Sequence, residues 1–369
     1  MDICELATPA ILLDLDVLER NIRRYHDAAV HSSRRIWPMT KTHKSTRIAA
    51  MQKEAGASGF LCGTLDECEA FCELGLPIMY AYPPAGERNL ERIVSLAKRC
   101  DLILRLDSFD GAREIDRMLR AYDARAGYTV IVDSGLHRFG MAPSETAGFV
   151  GLLAKRCPGL RFRGISTHPG HVYGAALPAD VPAYARQERA AAEEALHALR
   201  NAGFDPELIT SGSTPTFFAM CDESEYNVLH PGNYVFHDSI QIANGSARAE
   251  DCALTVLAAV ISRPAPDRLL IDAGAKCLGL DMGAHGCASV RGHGTVIGHP
   301  ECTIYSLSEE VGKIHIEGDT DLQIGDHVRI IPNHSCATAN NTGYYMCTRG
   351  SGVVGEIPVD VRGNAKTRL

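Results

Sequence analysis

Lys41 is the residue whose position best suits nucleophilic chemistry. It follows an apolar, strand-like run and lies in the segment Trp37–Ser45, just before a helical pattern that starts at Thr46. In α/β proteins the carboxyl ends of the strands carry the chemistry. A desolvated lysine amine at such a place is a candidate for forming a Schiff base. Structural lysines are more numerous than catalytic ones, and the neighbouring Lys44 is expected to be a solvated loop residue.

Two further segments place polar side chains after predicted strands. One ends in Arg138, which could neutralise an anionic or heteroaromatic cofactor group; the alternative is a glycine-rich turn with a surface arginine. The other, Thr167–Tyr173, contains two histidines and a tyrosine. Most single histidines are structural, but a position at a strand end favours acid–base work or ligand contact for His171 and Tyr173.

The segment Ser211–Pro215 is a candidate phosphate loop. Gly212 lets the backbone approach a phosphate closely, and the hydroxyls of Ser213 and Thr214 can hold it. In (β/α)8 barrels the loops after the seventh and eighth strands commonly form the phosphate site, and Tyr234 in the eighth unit could complete it. The alternative is an ordinary turn that begins a helix.

His334 and Cys336 form a candidate metal pair. They lie two residues apart on a segment predicted to be extended, so their side chains should point the same way. Both are good zinc ligands, and a set of two leaves positions open for water or substrate, as a catalytic metal needs. The alternative is a buried thiol beside a hydrogen-bonded histidine.

The elements that must position these residues alternate between strand and helix. A helix is predicted from Asp16 to Ala29. The strand-like runs that follow are Arg35–Thr40, Gly59–Cys62, Ile78–Tyr82, Leu102–Leu106, Thr129–Val132, Phe162–Thr167, Leu208–Ser211 and Asn227–Val235. Helical patterns separate most of them, so the chain is expected to be α/β and to form a (β/α)8 TIM barrel.

The pattern changes near Asn244. Beyond it, β-rich runs are separated by Gly, Pro and Asp, and no long helical pattern occurs. This predicts a second, mostly antiparallel β domain, with which the early strand Ala10–Asp14 is expected to pair. The predicted division is residues 15–243 for the barrel, and residues 1–14 and 244–369 for the β domain that carries the metal pair.

Composition narrows the class of protein. The 369 residues include 37 Lys and Arg against 45 Asp and Glu, a net charge of −8 without any basic run, which argues against a nucleic-acid partner. No apolar run reaches transmembrane length, and the opening residues are not typical of a signal peptide. The 13 cysteines lack paired spacing, so free thiols in a cytoplasmic enzyme are expected.

Taken in order, these motifs resemble the fold-type III pyridoxal-phosphate enzymes, whose relatives include alanine racemase. The likeness is greatest to the D-serine dehydratase and D-threonine aldolase group, and it spans nearly the whole chain. The similar segments are the opening Thr8–Ala10 and Asp14–Asp16, the lysine motif Lys41–Lys44, the phosphate loop Ser211–Pro215, the blocks Asp272–Lys276 and Ser308–Glu310, and the metal segment Pro332–Cys336.

The resemblance implies a role for each site residue. Lys41 would carry pyridoxal 5'-phosphate and act as the catalytic base, with His171 and Tyr173 contacting the substrate or the cofactor ring. The residues implied to bind the cofactor are Lys41, Arg138, Gly212, Ser213, Thr214 and Tyr234. His334 and Cys336 would bind zinc; manganese or another divalent cation is the alternative. A homodimer is also implied.

The spacing of the metal pair separates two branches of the group. The form His-x-Cys resembles the dehydratases, whereas the aldolases resemble a His-Cys-Asp run. The expected function is therefore a lyase that converts D-β-hydroxy-α-amino acids such as D-serine and D-threonine into a 2-oxo acid and ammonia. The alternative is cleavage to glycine and an aldehyde; an amino-acid racemase and a non-catalytic cofactor carrier are less favoured.

Three positions depart from the group's usual residues. Trp37 and Met39 stand where the group has Arg and His, and Val311 stands where it has His. Polar groups expected near the site are thus replaced by apolar ones. These departures bear on substrate identity more than on cofactor or fold.

Overall fold

The computed structural model describes residues 1–175, 177–222, 224–284 and 288–362. Its strands are β1 Ala10–Asp14, β2 Arg35–Ile36, β3 Phe60–Cys62, β4 Ile78–Tyr80, β5 Leu102–Leu106, β6 Ala126–Ile131, β7 Leu160–Ser166, β8 Leu208–Ser211, β9 Val228–Leu229, β10 Leu254–Ala265, β11 Arg268–Ile271, β12 Thr295–Val296, β13 Cys302–Leu307, β14 Gly312–Ile316, β15 His327–Ile331, β16 Tyr344–Arg349 and β17 Gly352–Pro358. Its α-helices are α1 Leu15–His31, α2 Thr46–Glu54, α3 Leu65–Phe71, α4 Glu87–Arg99, α5 Phe109–Ala121, α6 Thr146–Arg156, α7 Val181–Asn201, α8 Phe217–Cys221, α9 Ser239–Ala243, α10 Ala275–Leu278 and α11 Ser335–Asn341.

Eight parallel strands form the first sheet, in the order β2-β9-β8-β7-β6-β5-β4-β3. The two end strands also meet. Met39 and Leu61 form a parallel bridge, and the Leu61 amide donates to the Pro38 carbonyl at 2.9 Å. The sheet therefore closes on itself with helices between its strands, which confirms the predicted (β/α)8 barrel.

The second sheet has nine strands, in the order β11-β14-β13-β12-β15-β10-β1-β16-β17. Its pairs are antiparallel except for β1 with β16. The mostly antiparallel β domain is therefore confirmed, and β1 pairs with it as expected. The division at residues 15 and 244 stays a prediction. Among the described residues, no helix is both long enough and apolar enough to cross a membrane.

The junction between the two sheets is fixed by the cap of α1. The Asp14 carboxylate ends β1 and accepts from the amides of Asp16 and Val17 at 3.0 and 3.1 Å. Such a cap satisfies amides that a helix start leaves without partners, and contributes about 1 kcal/mol. Helix α1 then buries Leu18 and Tyr25 against the barrel.

Strands β2 and β9 are shorter than predicted. Each stops before a proline, Pro38 or Pro231, which has no amide proton to continue a strand ladder. The chain then turns into 3-10 helices at Thr40–Thr42 and Asn233–Val235. These turns present the residues that line the end of the barrel.

The barrel interior below these turns is filled by a cluster of apolar side chains. The indole of Trp37 is buried and donates to the Ser58 hydroxyl at 3.0 Å. A Cβ at Gly59 would lie 2.5 Å from the Trp37 ring, so only glycine leaves room for it. The members of the cluster are Trp37, Met39, Leu61, Met79, Ala81, Ile103, Leu208 and Val228. Trp37 thus belongs to the floor of the barrel.

The described cysteines are all free thiols, twelve in number, as expected from their scattered spacing. Cys287, the thirteenth, lies outside the described residues.

Candidate active site

One cavity of about 270 Å³ lies at the carboxyl ends of the barrel strands, where the β domain approaches them. Most of the residues that the sequence predicted for the site line this cavity. They are Lys41, Arg138, Tyr173, Gly212, Ser213, Thr214, His334 and Cys336. The barrel and the β domain therefore contribute to the same space.

Lys41 is held in place by the turn that contains it. The buried carboxylate of Glu67 accepts from the Thr40 hydroxyl at 2.6 Å, from the Gly63 amide at 2.9 Å and from the Lys44 ammonium at 2.8 Å. Lys44 is only 5% exposed, so the expectation that it is a solvated loop residue is wrong. A buried ion pair with several hydrogen bonds fixes the backbone on both sides of Lys41.

The predicted phosphate loop lies beside Lys41 in the cavity wall. A Cβ at Gly212 would lie 3.1 Å from the Cβ of His230, so a side chain there would crowd the wall. The Ser213 hydroxyl is 2.8 Å from that of Thr216, whereas the buried Thr214 hydroxyl has no partner among the described residues. A buried hydroxyl without a partner is uncommon and fits a group that accepts a ligand.

Tyr234 does not line the cavity, contrary to the prediction. Its hydroxyl lies 3.0 Å from His26 Nε2 and accepts from the Gln52 amide at 3.0 Å, inside the barrel wall. The 3-10 turn at Asn233–Val235 turns Tyr234 inward and leaves Asn233 facing the cavity. The amide oxygen of Asn233 is buried there and has no hydrogen-bond partner within the described residues.

His171 also points away from the cavity. Its Nε2 lies 3.1 Å from the amide oxygen of Gln187, and its ring packs against Tyr184. The cause is a 3-10 turn at Gly170–Gly174, which directs His171 towards α7 and Tyr173 towards the cavity. The histidine of this segment that lines the cavity is His168, which hydrogen-bonds the Gly212 carbonyl.

Tyr173 keeps its predicted place at the cavity. Its hydroxyl accepts from the Gln241 amide at 3.3 Å, and burial raises its pKa well above the ordinary value. The phenol is therefore protonated at neutral pH and can serve as a hydrogen-bond donor.

His334 and Cys336 lie at the start of a helix, so the prediction that their segment is extended is wrong. His334 is the N-cap residue of α11, and Cys336 is the second residue of that helix. The helix begins here because the buried Asp238 carboxylate accepts from the Ser335 amide at 2.9 Å and from its hydroxyl at 3.2 Å. The two candidate ligands nevertheless contact each other.

The pKa values of His334 and Cys336 shift in opposite directions because each group acts on the other. Burial acts to raise the pKa of the Cys336 thiol, but His334 and Lys41 lower it below the ordinary value. Burial acts to lower the pKa of His334, but Cys336 and the carboxylate of Asp281, 3.3 Å away, raise it well above the ordinary value. Within the described part of the chain, no group of three or more His, Cys, Asp or Glu side chains could hold a metal ion.

The sequence analysis did not single out several lining residues, among them Arg105 and His230. Arg105 projects from β5 and donates to the Ser166 hydroxyl at 2.8 Å; burial lowers its pKa to about 10. His230 follows β9, and its Nδ1 lies 2.8 Å from the Trp37 carbonyl. A charged residue inside the apolar strand Leu102–Leu106 was a usable signal for Arg105.

The three residues that differ from the usual residues of the resembled group lie in different parts of the structure. Met39 lines the cavity floor, and Trp37 lies in the apolar cluster below it. Val311 does not line the cavity, and its carbonyl accepts from Ser308 in the turn between β13 and β14. The replacement of polar side chains by apolar ones therefore affects the floor of the cavity.

Comparisons with known proteins agree with this architecture. Residues 13–239 match the family described as alanine racemase, N-terminal domain, and residues 253–348 match a serine dehydratase domain. The D-threo-3-hydroxyaspartate dehydratase of Delftia sp. (strain HT23) is 33% identical, over 95% of this chain and 96% of that enzyme. The D-serine dehydratase of Dictyostelium discoideum is 29% identical over 92% of each chain.

Solved structures show the same fold. D-threonine aldolase from Filomicrobium marinum superposes with a TM-score of 0.88 at 28% identity, over 97% of this chain and 96% of that chain. A cysteine-to-alanine mutant of D-threo-3-hydroxyaspartate dehydratase, described as the metal-free form, also gives 0.88 at 31% identity, over 97% of this chain and 98% of that chain. The chain therefore belongs to the family of lyases in which an alanine racemase N-terminal domain is joined to a serine dehydratase domain.

Proposed function

We propose that this chain is a pyridoxal-phosphate- and zinc-dependent lyase that converts D-β-hydroxy-α-amino acids into a 2-oxo acid and ammonia. One observation carries the proposal. Lys41 from the barrel and the pair His334 and Cys336 from the β domain line the same cavity, and Cys336 Sγ lies 3.3 Å from the Thr42 hydroxyl. A nucleophilic amine and a metal pair can then act on one small molecule.

The residues present fit pyridoxal phosphate. Lys41 supplies the amine and Arg138 supplies a positive charge. Ser213 and the Thr214 hydroxyl, which has no partner among the residues that the structure describes, supply donors for a phosphate. Gly212 keeps the wall open, as a Cβ there would meet His230. Tyr234 and His171 are left out of this proposal because neither lines the cavity.

The pair also fits a divalent metal. A thiolate and an imidazole are the donors that zinc favours over harder ions. The metal-free form of the dehydratase is a variant at a cysteine, and a second variant of that enzyme replaces a histidine two residues earlier. His334 and Cys336 have the same spacing and supply the corresponding donors here.

Each group of this chain would have a separate task. The cofactor would supply an electron sink for the bond broken at Cα, and the metal would supply a Lewis acid for the substrate β-hydroxyl. The Lys41 amine would take the proton from Cα, since the turn held by Glu67 presents it to the cavity. The protonated Tyr173 phenol would donate a hydrogen bond to the substrate, and His334 and Cys336 would hold the metal on the β-domain side.

Retro-aldol cleavage to glycine and an aldehyde is the second candidate. It is supported by the likeness to the Filomicrobium aldolase, which is nearly as great as that to the dehydratases. It would require proton removal from the β-hydroxyl in place of Cα. We favour elimination because His334 and Cys336 have the spacing of the substituted pair in the dehydratase.

A panel of D- and L-serine, threonine and 3-hydroxyaspartate would test the proposal. With the metal present, the D-enantiomers should yield 2-oxo acid and ammonia, and a chelator should stop the reaction until zinc is restored. Lys41→Ala should abolish turnover, whereas Lys155→Ala, an exposed lysine at the end of α6, should not. Interconversion of enantiomers that survives the chelator would indicate a racemase, and cofactor binding without turnover would indicate a carrier.

The predicted homodimer stays a prediction. Light scattering of the purified protein would test it.

A further inference from the structure

His230 is a buried histidine, and one of its ring nitrogens has no partner in the part of the chain that the structure describes. It follows β9, lines the cavity wall and is only 4% exposed. Its Nε2 has no hydrogen-bond partner among the described residues. A buried polar atom without a partner in a cavity wall indicates a missing ligand.

The other ring nitrogen fixes the tautomer of His230. Nδ1 lies 2.8 Å from the carbonyl oxygen of Trp37, which can only accept a hydrogen bond. Nδ1 must therefore carry the proton. Burial lowers the pKa of His230 to about 3, against the opposing effect of the Trp37 carbonyl, and the positive charge of Arg105 lowers it further. The imidazole is neutral, and Nε2 is a hydrogen-bond acceptor that cannot donate.

The other groups that line the cavity limit which part of a ligand this acceptor can bind. In the proposed function Lys41 would take the aldehyde of pyridoxal phosphate and the loop Gly212–Thr214 its phosphate. The phenolate oxygen only accepts hydrogen bonds, so the positive Arg138, which also lines the cavity, would suit it. The ring nitrogen remains, and it can donate only when it is protonated. His230 lies within the part of the wall that joins these groups, because β9 pairs with β2 and β8, and Gly212 approaches the His230 Cβ.

We infer that Nε2 of His230 accepts a hydrogen bond from the ring nitrogen of pyridoxal phosphate and so keeps that nitrogen protonated. The inference rests on the proposed function, since it requires the cofactor. A protonated ring withdraws electrons more strongly, and this strengthens the electron sink on which bond breaking at Cα depends. His230 is therefore assigned as a cofactor-binding residue that sets the protonation of the ring.

Nitrogen NMR of the wild-type holoenzyme tests the inference without any mutation. The enzyme is reconstituted with pyridoxal phosphate that carries ¹⁵N in the ring, and its chemical shift is compared with those of free pyridinium and free pyridine. A shift of the pyridinium type that persists from neutral to mildly alkaline pH is expected. A shift of the neutral pyridine type would overturn the inference.

A pair of variants adds a second readout. His230→Leu removes the acceptor, so the nitrogen signal should move to the pyridine position and the Kd for pyridoxal phosphate should rise on the order of tenfold to a hundredfold. The control is His26→Leu, a buried histidine outside the cavity whose two nitrogens both have partners. It should alter neither quantity. Unchanged shift and Kd in His230→Leu would contradict the assignment.

The outcomes separate this inference from the proposed function. A wild-type protein that binds no pyridoxal phosphate, or binds it equally well as Lys41→Ala, would overturn both. A Lys41-dependent cofactor whose ring nitrogen is unprotonated would overturn only the role of His230. If His230→Leu fails to fold, the wild-type spectrum decides.

Discussion

The thiol of Cys336 lies 3.3 Å from the hydroxyl of Thr42, the residue that follows Lys41. One belongs to the β domain and the other to the rim of the barrel. The contact is possible because α11 starts at the buried Asp238 carboxylate, which directs its first turn towards the barrel. The candidate metal pair is thereby placed next to the candidate cofactor lysine, although they are nearly 300 residues apart in sequence.

The first prediction separates the metal from the cofactor. Cys336→Ala removes one of the two proposed protein ligands, so metal affinity should fall by at least about 100-fold, and turnover should fall with it. Pyridoxal phosphate should still bind, because Lys41 and the phosphate loop are untouched. Metal analysis and the visible absorbance of the same sample check both points. Cys277→Ala, another partly buried cysteine of the β domain, should keep its metal; equal loss in both variants would argue against the pair.

The second prediction concerns the ion pair below Lys41. Glu67→Gln removes the carboxylate that faces the buried Lys44 ammonium, which should lower the free energy of unfolding by roughly 3–5 kcal/mol. Denaturant titration measures this loss. Adding Lys44→Met should restore much of the stability, since both charges are then gone. A double variant as unstable as Glu67→Gln would show that the ammonium is not the cause.

The third prediction concerns the floor of the barrel. Gly59→Ala places a Cβ 2.5 Å from the Trp37 indole, so the ring must move or the strand must shift. Overpacking of this kind costs roughly 1–3 kcal/mol, and the thermal midpoint should fall accordingly. In a Trp37→Leu background the same glycine substitution should cost less. An equal cost in both backgrounds would mean that the indole is not the obstacle.

The fourth prediction uses the buried carboxyl of Glu188. Burial raises its pKa to about 7, although hydrogen bonds from Thr167 and Ser211 and the charge of Arg105 oppose the rise. The stability that comes from this group is fully present below pH 4.5, the ordinary value, and is lost as the pH rises through about 7.

Glu188→Gln cannot ionise, so it should gain stability relative to the wild type across that range, by roughly 2–4 kcal/mol at its upper end. Urea unfolding of both proteins at several pH values measures the difference. A difference that does not depend on pH would contradict the raised pKa.

The barrel was predictable because each strand and each helix is a contiguous run with its own periodicity. The places of Lys41, Arg138 and Gly212 at one rim follow from the rule that parallel strands end at the same edge. The directions of His171 and Tyr234 were not predictable. Both lie in 3-10 turns, where successive side chains are about 120° apart, so one residue more or less after the strand changes which neighbours a side chain faces.

A different reason explains why two cavity-lining residues were not predicted. His230 and Arg105 owe their roles to partners distant in sequence, the Trp37 carbonyl and the Ser166 hydroxyl. A charged residue in an apolar strand marks Arg105 as unusual, but no local pattern identifies its partner or the partner of His230. The start of α11 at His334 likewise depends on Asp238, almost 100 residues earlier.

Product analysis of D-threonine incubated with the zinc- and pyridoxal-phosphate-loaded protein distinguishes elimination from retro-aldol cleavage in one experiment. Both routes can begin from this substrate and their products differ. The proposed elimination should give 2-oxobutanoate and ammonia in equal amounts, with neither formed by Lys41→Ala. Glycine and acetaldehyde as the main products would contradict it.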